Sequence, residues 1–204
     1  MSADYAINVF INCPFDSGYL ELRNALVFTI FDCGFRPKCA LEENDSGDVR
    51  VSKIKRLIEE SKFGIHDLSR ISLDDVNNLP RFNMPFELGI FTGAKLFGRG
   101  QQKQKVCLIL DSDKYRYQKY ISDVAGCDIK SHSDKQNEII KCVRDWLSST
   151  IKTVKIPGGK KIAERYQEFS NALPEMCEEV SYDLDDLTFN DYCQLIAEWL
   201  KKHK

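Results

Sequence analysis

Apolar runs and amphipathic segments alternate along most of the chain. Continuous runs rich in β-branched and aromatic residues are typical of buried strands, and apolar residues at three- or four-residue spacing are typical of helices. The predicted strands are residues 6–12, 35–41, 63–68, 105–110 and 128–130. The predicted helices are residues 19–33, 51–60 and 136–151, with another helix starting near residue 84 and a helix or lid at 115–125.

Strands that alternate with helical crossovers favour a parallel sheet covered by helices on both faces. We predict an α/β fold of about five strands over residues 1–155. The pattern changes at Ile156-Pro-Gly-Gly159, after which residues 160–173 and 189–202 are predicted as helices. Residues 156–204 would form a helical C-terminal appendage, which packs on the main body because its apolar residues are too few to fold alone.

Composition and charge narrow the class of protein. The chain has 204 residues, of which 43% are hydrophobic and 29% charged, and its formal net charge is −2. These values are typical of a soluble globular protein and do not favour nucleic-acid binding. No apolar run approaches the ~18 residues of a membrane span, and the N-terminus lacks the pattern of a signal peptide. We expect a cytoplasmic protein with no membrane or nucleic-acid partner.

The basic and aromatic run Lys114-Tyr-Arg-Tyr-Gln-Lys-Tyr120 could serve as a nucleic-acid patch. In a nearly neutral chain, a helix with a solvated face is the better interpretation. Arg116 or Tyr117 could still cover a bound nucleotide from above.

The eight cysteines form no Cys-x-x-Cys pair, and most lie beside apolar residues in predicted strands or helices. We expect them to be reduced and buried. Cys13, at the end of the first strand, is the candidate for a reactive thiol, although no obvious base lies near it. The three histidines are scattered, so we expect no zinc site and no other metal or cofactor.

Two loops at predicted strand ends carry candidate ligand groups, since parallel strands end at the edge where α/β sheets bind ligands. The loop Asn12-Cys-Pro-Phe-Asp-Ser-Gly18 could hold a phosphate or ribose with its N–H groups, or be a turn in which Asp16 or Ser17 caps the next helix. Asp67 could hold ribose hydroxyls or act as a general acid, or it could bond its own backbone in a turn. His66 should point away from Asp67 and be a satisfied side chain.

Residues 79–94 contain the sharpest candidate for chemistry, Glu87. Pro85 suits an early helical position, with Asn83 or Met84 as the cap. Glu87 then lies in or just after the first turn, where a glutamate is common because the helix dipole stabilises it by roughly 0.3–1 kcal/mol. A functional role is favoured by its place after the long loop that follows the third strand.

Three segments together resemble known families: Val9-Phe-Ile-Asn-Cys-Pro-Phe-Asp16, Asp67 at a strand end, and Asn83-Met-Pro-Phe-Glu-Leu-Gly89 at a helix start. They resemble the nucleoside 2-deoxyribosyltransferase-like proteins and the Toll/interleukin receptor (TIR) domains of bacterial defence and NAD hydrolysis. The whole is similar to a bacterial family described as nucleotide-binding proteins. The resemblance covers residues 5–150 and implies a flavodoxin/Rossmann-like three-layer sandwich for residues 1–155.

The resemblance also implies a role for each matched residue. Glu87 corresponds to the catalytic glutamate, and Asp67 to the carboxylate that holds or protonates the nucleoside. Asn83 corresponds to a ribose-binding position, and residues 13–16 line the pocket. The implied substrate-binding residues are Asn12, Cys13, Pro14, Phe15, Asp16, Asn83 and Met84.

The function expected from these residues and this resemblance is cleavage of an N-glycosidic bond in a nucleotide, nucleoside or NAD-like molecule. An ionised Glu87 would stabilise or attack the sugar carbon, and Asp67 or a backbone donor would assist the leaving base. The pairing of Asp67 with Glu87 requires that both side chains converge on one open pocket. The alternative is a non-catalytic module of the same fold that senses a nucleotide or binds proteins. In either case the chain could form a homo-oligomer or bind a partner protein in bacterial defence or signalling.

Overall fold

The computed structural model describes residues 4–71, 80–152 and 154–203. Its strands are β1 (Asn8–Asn12), β2 (Arg36–Lys38), β3 (Phe63–Asp67), β4 (Val106–Asp111) and β5 (Lys130–Ser131). Its helices are α1 (Leu20–Asp32), α2 (Arg50–Glu59), α3 (Asn83–Phe97), α4 (Gln136–Thr150), α5 (Gly159–Glu179) and α6 (Phe189–His203). This order of elements confirms the predicted α/β class with five strands and C-terminal helices.

The strand pairings are all parallel, and the strand order is β2-β1-β3-β4-β5. In this flavodoxin-like order the chain runs from β1 outward to β2 and then crosses back to β3 on the other side of β1. In register, Ile65 of β3 lies between Ile11 of β1 and Leu108 of β4. The carboxyl ends of these three strands therefore meet at one edge, and the strand order reverses between β1 and β3.

The central strand β3 and its neighbour β1 are buried on both faces, and polar side chains of these strands are buried with the apolar ones. Every residue of Asn8–Asn12 and of Phe63–Asp67 is buried. Helices α1 and α4 cover one face of the sheet, and α2 and α3 cover the other, where Phe10 packs with Phe91. Gly64 of β3 allows α3 this close approach, because a Cβ at that position would lie 2.6 Å from the Phe91 ring.

The C-terminal helices α5 and α6 pack against α1 and α4. The Phe28 ring of α1 stacks on Phe169 of α5 with centroids 5.3 Å apart, and it lies 5.9 Å from the Trp199 ring of α6. The buried Asp32 carboxylate at the end of α1 pairs with Arg165 of α5 at 2.7 Å. Helices α5 and α6 thus share one hydrophobic core with α1 and α4.

Helix α5 is longer than the sequence pattern predicted. It extends to Glu179 instead of ending at residue 173, and Pro174 lies inside it. A proline within a helix removes one backbone hydrogen bond, which is why the prediction stopped before it. The extra turns bury Cys177 in the core, and this burial favours continuation of the helix.

The segment between β4 and β5 is not the continuous helix that was one of the two predictions for residues 115–125. It contains two short 3₁₀ segments, Arg116–Lys119 and Ser122–Val124. Tyr115 precedes them with a φ of 63°, which lies in the left-handed region and cannot continue into a right-handed helix. The segment is therefore a folded connection across the edge of the sheet.

Two expectations concern the long loop and the membrane. Most of the loop predicted at residues 69–81 falls at 72–79, which lie outside the described residues. Within the described ranges, no helix combines the length and the apolar composition needed to cross a bilayer.

Candidate functional site

The carboxyl ends of β1 and β3 form the switch point of the sheet, and the start of α3 lies beside them. Asn12 ends β1, and its buried side chain donates from Nδ2 to the Met84 carbonyl of α3 at 2.8 Å. The same Nδ2 lies 3.0 Å from Nδ1 of His66. Asn12 therefore fixes the first turn of α3 to the edge of the sheet, and with it the position of Glu87 one turn further on.

The N-cap of helix α3 lies before both of the predicted cap residues. The Phe86 N–H donates to the Phe82 carbonyl at 3.0 Å, so Phe82 is the N-cap and Asn83 is the first helical residue. The prediction of Asn83 or Met84 as the cap is wrong, because a backbone bond closes the first turn and no side chain caps it. Pro85 falls inside this turn, where its missing N–H costs nothing.

Glu87 is a nearly buried carboxylate early in α3. The residue is 8% exposed, and among the described residues its ionic partner is Arg50, with 3.9 Å between Oε1 and Nη2. Arg50 begins α2, and its side chain is largely in solvent. Burial raises the pKa of Glu87 to about 7, and the charge of Arg50 lowers it only in part. Glu87 can therefore exchange a proton near neutral pH, which suits acid–base or nucleophilic chemistry.

Asp67 lies in a closed polar cluster. It is fully buried, with the Tyr19 hydroxyl donating to Oδ2 at 2.5 Å, the Ser69 N–H donating to Oδ1 at 2.8 Å, and His132 Nε2 3.0 Å from Oδ2. Burial alone would raise the pKa of Asp67, but His132, Ser69 and Tyr19 outweigh burial and lower it. Asp67 is thus an ionised group that protein atoms already satisfy.

The two carboxylates have different environments. Neighbouring residues of a strand point to opposite faces, so His66 and Asp67 diverge at the end of β3. The His66 ring packs 5.0 Å from Phe91 of α3, the helix that carries Glu87. Asp67 instead contacts side chains next to α1 and α4 on the other face. Within the described residues, Asp67 and Glu87 do not converge on one open pocket as expected.

The loop after β1 is mostly closed. Cys13 and Pro14 are buried, and burial raises the pKa of the Cys13 thiol well above its usual range, so the reactive thiolate is disfavoured. Phe15 is half-buried against the main core. Asp16 is half-buried and pairs with Arg81 at 3.0 Å. Of these four residues, Asp16 presents the polar side chain nearest to solvent.

The remaining predicted binding residues lie in the first turn of α3. Asn83 is exposed and stands one turn before Glu87. Met84 is buried and packs with Leu88 and Ile109 beneath the helix. A ligand over the start of α3 could therefore reach the Asn83 side chain but not that of Met84.

The basic and aromatic run after β4 ties two strand ends together. Arg116 donates from Nε to Asp111 Oδ1 at 2.9 Å, and from Nη2 to the carbonyls of Leu68 at 3.0 Å and Ser69 at 2.6 Å. The Tyr120 hydroxyl donates to Asp111 Oδ2 at 2.6 Å. The Arg116 guanidinium therefore bonds to groups of the protein itself. The segment joins the carboxyl ends of β3 and β4.

A cavity of about 830 Å³ lies away from Glu87, between Lys95 of α3 and Trp146 of α4. It opens beside the first half of β4, because β5 pairs only with Leu110 and Asp111. We locate the candidate site at the switch point of the sheet, beside the nearly buried Glu87. The cavity is a separate feature. Among the described residues, no group of three or more His, Cys, Asp or Glu side chains could hold a metal ion.

Sequence reasoning missed the partners of both carboxylates. Tyr19 and His132 surround Asp67, and Arg50 faces Glu87. A weak signal existed for His132, which follows the last predicted strand at the same edge of the sheet. No signal existed for Arg50, because the packing of α2 beside α3 places it there.

A comparison with models of known families and a search of curated proteins find no match to this chain. The fold and the site therefore define the class by themselves. The chain is a flavodoxin-like α/β protein that carries a nearly buried glutamate beside the switch point of its sheet.

Proposed function

We propose that this protein binds a nucleotide, nucleoside or NAD-like molecule at the switch point and uses Glu87 to cleave its N-glycosidic bond. The observation that carries the proposal is the position of Glu87, nearly buried at the start of the helix that Asn12 fixes to β1. Ligands of open α/β sheets bind at such switch points, and helix starts there favour anionic ligands.

The chemistry needs one carboxylate beside the sugar. When the base leaves, the C1′–N bond breaks, its electron pair goes to the base, and the sugar carbon becomes a cation-like centre. An ionised Glu87 would stabilise or attack this carbon, as carboxylates do in glycoside chemistry. Water or another acceptor then takes the sugar. In hydrolysis of a nucleoside or nucleotide, the proton of the water passes to the departing base. In hydrolysis of an NAD-like molecule, the nicotinamide leaves as a neutral group and the proton passes to solvent.

The surroundings of Glu87 leave it partly ionised near neutral pH. Burial raises its pKa to about 7, so protonated and ionised forms coexist near neutral pH. The Arg50 guanidinium, 3.9 Å away, favours the ionised form. We expect the rate to rise with pH through about 7, because the ionised fraction increases there.

In this proposal Asp67 is a positioning residue. Its carboxylate holds Tyr19, His132 and the Ser69 N–H, and it thereby sets the path of the chain as it leaves β3. Protonation of the leaving base falls to solvent or to a group of the substrate. Asn12 is likewise a positioning residue, since its Nδ2 donates to the Met84 carbonyl in the first turn of the helix that carries Glu87.

A binding module without turnover is the second candidate. It is supported by the closed environment of Asp67, because protein groups already satisfy that carboxylate and only Glu87 of the predicted pair is left to contact a ligand. In this case the site would sense a nucleotide, or the protein would act through partner proteins. The motif resemblance would place either function in bacterial defence or signalling.

Base release from NAD and a panel of nucleosides and nucleotides tests the proposal. Wild type should release base, and Glu87→Gln should lower the rate by about 10³-fold, as expected for loss of an essential group. Glu175→Gln, which changes an exposed glutamate of α5, should keep the rate of wild type.

Two outcomes decide between the candidates. If Glu87→Gln keeps the wild-type rate on a substrate that wild type cleaves, Glu87 is not catalytic. If wild type releases no base but calorimetry shows nucleotide binding that Glu87→Gln alters, the sensing function replaces cleavage.

A further inference from the structure

Helix α3 is apolar on both of its faces. One face packs on the sheet through Met84, Leu88 and Phe91, all of which are buried. The opposite face also carries apolar or small residues, which we call the α3 stripe. The α3 stripe consists of Phe82, Phe86, Gly89, Gly93, Leu96 and Phe97. A helix that is apolar all round is normally covered on both sides.

The large side chains of the α3 stripe are in solvent. Phe82 is 65% exposed, Phe86 60%, Leu96 64% and Phe97 86%. From Phe82 through Phe86, Gly89 and Gly93 to Leu96 or Phe97, each step is three or four residues, which places the whole stripe on one side of the helix. The stripe is therefore continuous over the length of α3, and it contains no charged side chain.

The centre of the α3 stripe is bare. Among the described residues, no atom would lie within 4 Å of a Cβ at Gly89 or at Gly93, so both positions face open space. The bulky side chains stand on either side, with Phe82 and Phe86 towards the N-terminus and Leu96 and Phe97 towards the C-terminus. A partner helix could approach the backbone at the centre, where no side chain separates them.

We propose that the α3 stripe is the surface through which two copies of this chain associate, with a two-fold axis near Gly89 and Gly93. An antiparallel crossing on that axis places Phe86 of each copy opposite Leu96 of the other. A two-fold interface must be self-complementary, and a bare centre between two bulky ends meets that condition.

The area available fits a dimer of modest affinity. The exposed parts of the four large side chains amount to about 500 Å² per copy, given the 150–250 Å² that each aromatic residue can bury. Association would bury about 1,000 Å² in total, which is near the lower limit for a specific interface. A patch of this size is also at the upper end of what monomers leave exposed.

This association does not depend on the reaction proposed for Glu87. Phe82 and Phe86 have no assigned part in that chemistry, and Leu96 and Phe97 lie at the other end of α3. The oligomeric state can therefore be measured whether or not a substrate is found.

Sedimentation velocity over a series of concentrations tests the proposal. Wild type should show a reversible monomer–dimer equilibrium. Phe97→Asp should raise the dissociation constant at least about tenfold, because it puts a charge into the contact. Val180→Asp, which changes an apolar residue 42% exposed after α5, is the matched control and should leave the dissociation constant unchanged.

Gly93→Leu separates association from folding. The open space at Gly93 accepts the new side chain, and leucine favours a helix more than glycine does, so thermal stability should not fall. The side chain would nevertheless block the close approach, so association should weaken as strongly as in Phe97→Asp.

Two results would overturn the proposal. One is a wild-type chain that remains monomeric at every concentration measured. If this monomer also floats with phosphatidylcholine vesicles, the α3 stripe binds lipid and not a second copy of the chain. The other is a dimer with the same dissociation constant in wild type, Phe97→Asp and Gly93→Leu, which would place the contact elsewhere.

Discussion

Asp67 and Glu87 are acidic side chains on consecutive elements of the chain, at the end of β3 and the start of α3, and their surroundings are opposite. Asp67 is fully buried, but Tyr19, Ser69 and His132 satisfy its oxygens. Glu87 is also nearly buried, yet its described partner is one arginine at 3.9 Å. The pKa of Asp67 is lowered as a result, and burial raises that of Glu87 to about 7.

This difference shows that burial alone does not decide what a carboxylate does. Where donors surround it, burial is compatible with a permanent charge that organises the structure. Where donors are lacking, the ionised form is destabilised and the group becomes reactive. A pair of carboxylates with diverging pKa values often has divided roles, and here Asp67 takes the structural one.

Of the substitutions that test this difference between the two carboxylates, the largest effect is expected at Asp67. Asp67→Ala should destabilise the fold by about 3–5 kcal/mol, because it leaves His132 and the Tyr19 hydroxyl buried without their partner. Urea unfolding measures this loss. Asp128→Ala, which removes an exposed ion pair with Lys130, should cost at most about 1 kcal/mol. Equal losses in both variants would mean that the Asp67 cluster is not a structural unit.

Glu87→Gln should change the stability of the fold in the opposite direction and increase it. The folded state favours the protonated carboxyl, so ionised Glu87 costs stability as pH rises from 4.5 to about 7. The substitution should therefore stabilise the fold by about 2–3 kcal/mol at pH 8 and much less at pH 5. Urea unfolding at both pH values checks this, with Glu175→Gln as control. A loss of stability at pH 8 would instead fit a glutamate that only stabilises the helix dipole.

Arg50→Ala should have the smallest effect. Arg50 lowers the pKa of Glu87, so its removal should raise that pKa further and move the pH profile of base release to higher pH. Stability should change by less than about 1 kcal/mol, because the arginine side chain is largely in solvent. Arg36→Ala, which removes an exposed ion pair with Asp4, is the control. An unchanged profile in Arg50→Ala would show that burial alone sets the proton affinity of Glu87.

The strands and helices could be predicted from the sequence because each leaves a local pattern. β1 and the start of β3 are short, mostly apolar runs, as expected for parallel strands that are buried on both faces. The strand order could not be predicted. Tertiary packing determines on which side of β1 the chain places β3, and no local pattern of residues indicates it. The prediction ended helix α5 too early for a related reason. The burial of Cys177 in the core favours a helix that continues past Pro174, and that burial depends on tertiary packing.

The candidate site was predictable in position but not in environment. The place of Glu87 after a strand end predicted its location at the carboxyl edge of the sheet. Its burial and its contact with Arg50 arise when α2 packs beside α3, and no spacing in the sequence encodes that contact. Asp67 could be assigned a strand end, but its closed cluster needs Tyr19 and His132 from distant parts of the chain.

Titration of the Glu87 carboxyl carbon by NMR tests the central claim most directly, because it needs neither a substrate nor a partner. The resonance can be assigned by its absence in Glu87→Gln. We predict a titration midpoint near pH 7, from a carboxyl group that burial keeps partly protonated at neutral pH. A midpoint near the ordinary glutamate value of 4.5 would contradict the claim and leave Glu87 as an ordinary residue at a helix start.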